Sequence, residues 1–146
     1  LDFTRDGDRA WWQRGLQQQI LDVGIDVGWN DNNEYEIWGE RAEVHGFGQT
    51  LPMPRARSLQ ALLMTRATFD QQAEHKPAER VYTITRGGPP GLQRYAQTWS
   101  GDNTTSWHTM RWNQRMALTM SLSGMFNTGH DIGGFDGVAD AGRLSR

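Results

Sequence analysis

Gly24-Ile25-Asp26-Val27-Gly28-Trp29-Asn30-Asp31-Asn32-Asn33-Glu34 is the stretch on which the reading of the fold turns. Its first six residues are short, contain β-formers and run straight into a polar cluster, as a parallel strand does where it meets a functional loop. The same transition recurs downstream. Arg80-Val81-Tyr82-Thr83-Ile84-Thr85 is the clearest strand and ends in Arg86. Arg94-Tyr95-Ala96-Gln97-Thr98-Trp99 leads into Ser100-Gly101-Asp102-Asn103, and Met125-Phe126-Asn127-Thr128 leads into His130-Asp131. Strand, polar tip and helix in repetition predict a parallel α/β sheet. Four tips, at Asp31, Arg86, Asp102 and Asp131, then fall at the carboxyl ends, where barrel enzymes place their chemistry.

Between the tips the period changes. Asp6 or Asp8 is expected to cap a helix from Arg9 to about Leu21, because Trp12, Leu16 and Ile20 form one apolar stripe. Residues 39–57 carry Gly46, Gly48, Pro52 and Pro54 without a sustained period and read as a long loop over the site. From Ser58 the spacing of Leu59, Leu62, Leu63, Arg66 and Ala67 is helical to roughly Lys76, where Pro77 stops it. Gly87-Gly88-Pro89-Pro90-Gly91 is a helix-proof connection. Thr105 or Ser106 is expected to cap a helix over about Trp107 to Leu122. That helix has apolar residues on most sides and should be well buried.

The 146 residues suit one domain but fall short of a closed eight-fold barrel, which takes about 250. The chain opens on Leu1 and stops at Arg146 soon after a strand end, so both ends read as truncated. A net charge of -2 and fifteen scattered Lys and Arg residues give no basic face, which argues against nucleic acid. No apolar run approaches the ~20 residues that span a bilayer, so no membrane partner is expected. Zero cysteines exclude disulfides and thiolate metal sites. The absence of cysteine does not separate cytoplasm from periplasm, and the compartment is not recoverable from this stretch, with the cytoplasm slightly favoured. Seven tryptophans beside low hydropathy suit sugar rings, which are apolar on one face and polar at the rim, although core packing accounts for them equally well.

Asp31 and Asp102 carry the chemistry. A glycosidic bond breaks when one carboxylate attacks the anomeric carbon and a second carboxyl group protonates the departing oxygen, so two acids from different strand ends are what the reaction requires. Asp31 could equally be a solvated acid in an Asx-turn, a reading that Asn30, Asn32 and Asn33 strengthen. Trp29, Glu34, Tyr35, Ile37 and Trp38 argue instead for a half-buried pocket. Asp102 could serve as a cap before the following helix. Arg86 could be a surface base, or it could hydrogen-bond sugar hydroxyls and hold a carboxylate ionised. The Asp31-Asn32-Asn33 start of a calcium loop fails at its sixth position, where Glu36 stands in place of glycine. Gly87-Gly88 and Gly133-Gly134 lack a phosphate-loop spacing and read as turn formers. His45, His75, His108 and His130 show no paired spacing for zinc, and His130 alone belongs to the candidate site.

These residues resemble glycoside hydrolase family 31, the retaining α-glucosidase group. The resemblance rests on an ordered set: Asp2-Phe3-Thr4, Gly24-Ile25-Asp26, Trp29-Asn30-Asp31-Asn32-Asn33-Glu34, Thr85-Arg86, Trp99-Ser100-Gly101-Asp102-Asn103 and Gly129-His130-Asp131-Ile132-Gly133-Gly134-Phe135. It implies part of a (β/α)8 TIM barrel, from about the third helix through the seventh strand, with residues 1–146 as the central part of one catalytic domain. It also implies Asp31 as nucleophile, Asp102 as general acid/base and Arg86 as a sugar-binding arginine. Trp29, Trp99 and Asp131 become pocket-lining positions, and Glu34 a supporting carboxylate. No metal or organic cofactor is implied. The commoner motif has methionine where this chain has Asn32, and Asp31-Asn32-Asn33-Glu34 points to glucose rather than xylose.

The expected activity is therefore retaining cleavage of terminal, non-reducing α-linked glucose from an α-linked oligosaccharide or glucoside. Transglucosylation, another α-glycoside, or an inert carbohydrate-binding fragment are the alternatives. Asp102 would need a carboxyl group that holds its proton in the first step and takes one in the second.

Overall fold

In the computed structural model, residues 1–37, 39 and 41–138 are described. Trp38, counted among the pocket aromatics in sequence, lies outside them. Six strands and three helices follow in order: α1 (Asp6–Leu16), β1 (Val27–Asn30), β2 (Glu43–Val44), β3 (Leu51–Pro52), α2 (Met53–His75), β4 (Tyr82–Thr85), β5 (Gln97–Trp99), α3 (Trp107–Leu122) and β6 (Thr128–Gly129). The main sheet has the order β1-β4-β5-β6, and every pairing in it is parallel. Each strand therefore delivers its carboxyl end to the same edge, as the alternation of strand and helix predicts.

The face of this sheet that meets α2 is polar. Alternation along β1 and β4 turns Gly28, Asn30, Thr83 and Thr85 inward, and α2 answers with Thr65, Thr68 and Gln72, all buried. The Trp12 indole N–H donates to the Thr68 hydroxyl (2.9 Å), which donates to Asn30 Oδ1 (3.0 Å). The Gln72 amide donates to the carbonyls of Asp26 (2.7 Å) and Tyr82 (3.1 Å) and accepts from the Thr83 hydroxyl. Pairing makes such burial tolerable, since each polar group meets a partner of fixed direction. Gly28 lets the helix come this close: a Cβ there would sit 2.6 Å from Thr68 Cγ2 and 2.9 Å from Gln72 Oε1.

The apolar core lies beside the sheet in two clusters, Phe3 with Met64 and Ala67, and Val44 with Met53 and Ala56. Tyr35 packs against both, with its ring edge-on to Phe3 at 6.4 Å. Burial pushes its phenol above the usual range.

Several expectations need correction. Neither Asp6 nor Asp8 caps α1. Arg5 occupies the N-cap, and both acids lie in the first turn, where they favour the positive end of the helix dipole. The helix also widens into a π-turn over Gln17–Leu21. Residues 39–57 are not one loop: β2 and β3 pair antiparallel, and α2 starts at Met53 because Pro54 falls in the first turn, where its missing N–H costs nothing. The strand expected from Arg94 begins at Gln97, after a 3-10 turn over Leu92–Arg94. The last strand begins at Thr128 rather than Met125. Ser106 caps α3 by accepting from the Thr109 N–H (3.0 Å), but α3 is not well buried. Asn113 is its one buried residue, and Leu118 and Leu122 are 68% and 92% exposed. An apolar helix needs partners on several sides, and the described residues cover little of it beyond the side facing β6.

Asp2 ties the first residues to the rest. Its Oδ1 accepts from the Thr4 N–H (3.0 Å), the Thr4 hydroxyl and the Gln60 amide (2.8 Å), and its Oδ2 accepts from the His45 N–H (2.6 Å). Burial alone would raise this carboxyl group, but those hydrogen bonds hold it down at about 2. The folded value lies below the 3.8 of an unperturbed aspartate. The anchor therefore contributes in full above about pH 4 and is lost as the pH falls towards 2. Asp2→Asn sets an amide donor against one of these donors. It should lower stability by about 1–3 kcal/mol at neutral pH. In denaturant titrations the deficit should narrow as the pH is lowered from about 5 towards 2.

Candidate active site

Two loop tips are locked together before any charged side chain is considered. The Arg86 N–H donates to the Asn30 carbonyl (3.0 Å), extending the β1–β4 pairing by one bond. Beyond it, the fully buried Asn33 donates to the Thr85 hydroxyl (2.7 Å) and the Gly87 carbonyl (3.2 Å) and accepts from the Gly87 N–H (2.6 Å). Asn33 therefore replaces a strand ladder with one side chain, and Tyr35 anchors the far side of Glu34 in the core. Asp31, Asn32 and Glu34 are left pointing outward between fixed points.

Arg86 gathers them. Its side chain is 16% exposed, and its guanidinium Nε meets Glu34 Oε1 at 2.7 Å. Nη1 meets Asp31 Oδ1 at 3.1 Å and Asp102 Oδ1 at 3.3 Å. Nη2 donates to Asn32 Oδ1 and to Glu34 Oε2 (3.3 Å). The hydrogen bond to Glu34 pushes the arginine above its ordinary range. Burial opposes this, and the charges of Glu34, Asp31 and Asp102 add to it. The planar fork meets Asp31, Asp102, Glu34 and Asn32 at once, which a lysine ammonium cannot reproduce.

Asp102 arrives from the β5 tip, where Gly101 turns the chain with φ +75° while Asn103 donates to Asn113 Oδ1 (2.9 Å) on α3. A cleft of about 340 Å³ opens over Glu34, Arg86, Trp99, Ser100 and Asp102. At its side Trp29 and Trp99 meet edge to face, with ring centroids 5.4 Å apart. Trp29 leaves 67% of its surface open. The structure thus brings Asp31, Asp102, Arg86 and Glu34 together and sets Trp29 against Trp99.

His130 and Asp131 stand apart from that group. They line a separate cavity of about 280 Å³ against α3, with Thr104, Thr109 and Asn113. Burial lowers the His130 imidazole, while the Asn113 backbone and the Asp131 charge pull it back. The loop carrying them is stitched to the β5 tip, with Thr105 N–H donating to the Asp136 carbonyl (2.6 Å) and Phe135 N–H to the Asn103 carbonyl (2.8 Å). Gly133 and Gly134 make that turn with φ +87° and +92°. Among the described residues there is no cluster of three His, Cys, Asp or Glu that could hold a metal ion.

Sequence reading missed Asn32 and Asn33 as contributors to the site. Their types signalled an Asx-rich turn, but not that the side chains would reach Arg86 and the end of β4.

Parallel strands that deliver two carboxylates to one guanidinium define a site of the acid-pair class, on a partial barrel. Residues 1–146 match the family described as "Glycosyl hydrolases family 31 TIM-barrel domain", and the chain belongs to that family. "Alpha-glucosidase 2" of Bacillus thermoamyloliquefaciens is 31% identical over 140 residues, covering 92% of this chain and 18% of that protein. Among solved structures, a glucosidase II alpha subunit in its Glc1Man2-bound form matches with a TM-score of 0.81 and 26% identity. The match covers 99% of this chain and 17% of that one. A GH31 alpha-xylosidase from a soil metagenome, complexed with xylose, matches with a TM-score of 0.81 and 26% identity over 94% of this chain and 20% of that one. The chain thus spans about a fifth of the length of these relatives.

Removing the buried amide tests the lock. Asn33→Ala strands the Gly87 N–H, removes the donor to the Thr85 hydroxyl and the Gly87 carbonyl, and should cost about 1–3 kcal/mol in a denaturant titration.

Proposed function

We propose that residues 1–146 are the central part of a (β/α)8 catalytic domain that cleaves terminal α-linked glucose with retention. The observation that carries this reading is the single Arg86 nitrogen in contact with Asp31 at 3.1 Å and with Asp102 at 3.3 Å. Two carboxylate oxygens on one atom are separated by no more than the sum of those contacts. That bound admits the roughly 5–5.5 Å separation of a retaining pair. Membership of the family and the α-glucosidase relative support the same chemistry.

In the first step an Asp31 oxygen bonds to the anomeric carbon as the glycosidic bond breaks, and the Asp102 proton goes to the departing oxygen. In the second, water gives its proton to Asp102 and attacks the same carbon. The bond to Asp31 breaks, and the sugar leaves with its original configuration. Arg86 and Glu34 hold the pair in place, and the Trp29–Trp99 wall offers a flat apolar face to the ring. The α-xylosidase structure is as similar in fold as the glucosidase, so the identity of the sugar rests on a substrate panel.

The test uses the full-length enzyme carrying this chain and a panel of chromogenic α-glycosides. Asp31→Ala should lower kcat/KM by roughly four orders of magnitude. Asp102→Ala should lose about 10²–10⁴-fold, least where the leaving group is already acidic. Azide should restore Asp31→Ala and yield a β-glycosyl azide, identified by its product stereochemistry. Unchanged turnover in either variant would remove its assigned role. The 146 residues expressed alone should be inactive on the same substrates, because β1 and β6 present open sheet edges.

A further inference from the structure

We infer that Asn32 is a positioning residue that aims the Asp31 carboxylate by bridging it to Arg86. The inference rests on the two-carboxylate reading above and deepens it. Asn32 Oδ1 accepts from Arg86 Nη2, and Asn32 Nδ2 lies 3.4 Å from Asp31 Oδ2. Asp31 Oδ1, the other carboxylate oxygen, meets Arg86 Nη1 at 3.1 Å. The three side chains close a ring in which one Asp31 oxygen faces the Arg86 charge and the other faces the Asn32 amide N–H.

The chemistry of the groups fixes the direction of this ring. A guanidinium offers only donors and an ionised carboxylate only acceptors. A group that joins them side by side must accept from the first and donate to the second, and a primary amide does both through atoms held in one plane. The amide orientation is therefore set by its neighbours: the oxygen faces Arg86 and the nitrogen faces Asp31.

The backbone is committed to the same end. Asn32 has φ +50°, in the left-handed region that asparagine tolerates better than most residues. The buried Asn33 holds the next position against Thr85 and Gly87, so the turn cannot relax by sliding along the chain. The 3.4 Å contact is at the long end for a hydrogen bond. Its function is to hold one oxygen of Asp31 so that the other faces the anomeric carbon, which is a matter of orientation and belongs to the attack step.

Two variants of the full-length enzyme test this. Asn32→Gly keeps the left-handed backbone without strain and removes the bridge. Asn32→Asp keeps an acceptor for Arg86 but sets a second carboxylate against Asp31. A slow fluorinated α-glucosyl fluoride, which forms a covalent adduct on Asp31 detectable by mass, isolates the attack step. Both variants should form the adduct at least about tenfold more slowly, the size of one hydrogen bond to a charged group. The inhibition constant of free glucose should change less than about threefold, because ground-state binding is not what the bridge supplies. A role in folding alone would lower the melting temperature without slowing adduct formation. Adduct formation within about twofold of wild type in a folded variant would overturn the assignment. If Asn32→Gly fails to fold, Asn32→Asp alone decides the matter. Failure of the underlying reading looks different: the wild-type enzyme would form no adduct on Asp31, or Asp31→Ala would retain turnover. Either result would take the Asn32 assignment with it.

Discussion

The buried amide of Asn33 is the constraint on which the geometry of the site depends. A parallel pair such as β1 and β4 has no turn joining its ends, so nothing in the strand ladder itself relates the loop after one strand to the loop after the other. Asn33 supplies that relation with three hydrogen bonds to Thr85 and Gly87, and it does so without solvent access. With the two tips related, Arg86 reaches Asp31 and Glu34 from the neighbouring strand, and the β5 tip brings Asp102 to the same nitrogen. Loss of the amide would leave each residue present and the constellation unassembled.

The helix–sheet contact follows the same logic on a larger scale. Most such contacts are apolar and tolerate small slips, because dispersion contacts have no preferred direction. Here Thr65, Thr68 and Gln72 meet Asn30, Thr83 and Thr85, and each bond has a direction. A slip of one residue would leave several buried groups unpaired, at a cost of about 1–3 kcal/mol for each. The register of α2 on the sheet is therefore set by hydrogen-bond direction, while the apolar clusters around Phe3 and Val44 supply the adhesion.

The order of strands and tips was legible because it depends on local contrasts: β-formers against a polar run, repeated at Asp31, Arg86, Asp102 and Asp131. The Ser106 cap and the stop before Pro77 were legible for the same reason. Features set by distant partners were not. The β2–β3 pair has two residues in each strand and no periodicity to display, and the early start of α2 depends on Pro54 being tolerated where proline usually breaks a helix. The exposure of α3 is invisible in a pattern that records only which residues want burial. In the site, the acids and the arginine stood out by charge. Asn33 did not, since an asparagine in a turn looks the same whether it faces water or a neighbouring strand. The cavity that holds His130 and Asp131, separate from the Arg86 cleft, was likewise beyond any local signal.

Arg86 serves three carboxylates with one positive charge, and that imbalance has an electrostatic corollary. Even when the cation is fully engaged, the cleft keeps a surplus of negative potential focused between the strand ends. A neutral sugar gains little from such a field. A ring that transiently becomes electron-poor at its anomeric carbon would gain a great deal, and so would a protonated nitrogen in the ring position. Under the glycosidase function proposed above, the shortage of counter-charge would tune the cavity to a fleeting cation rather than to the resting molecule that enters it.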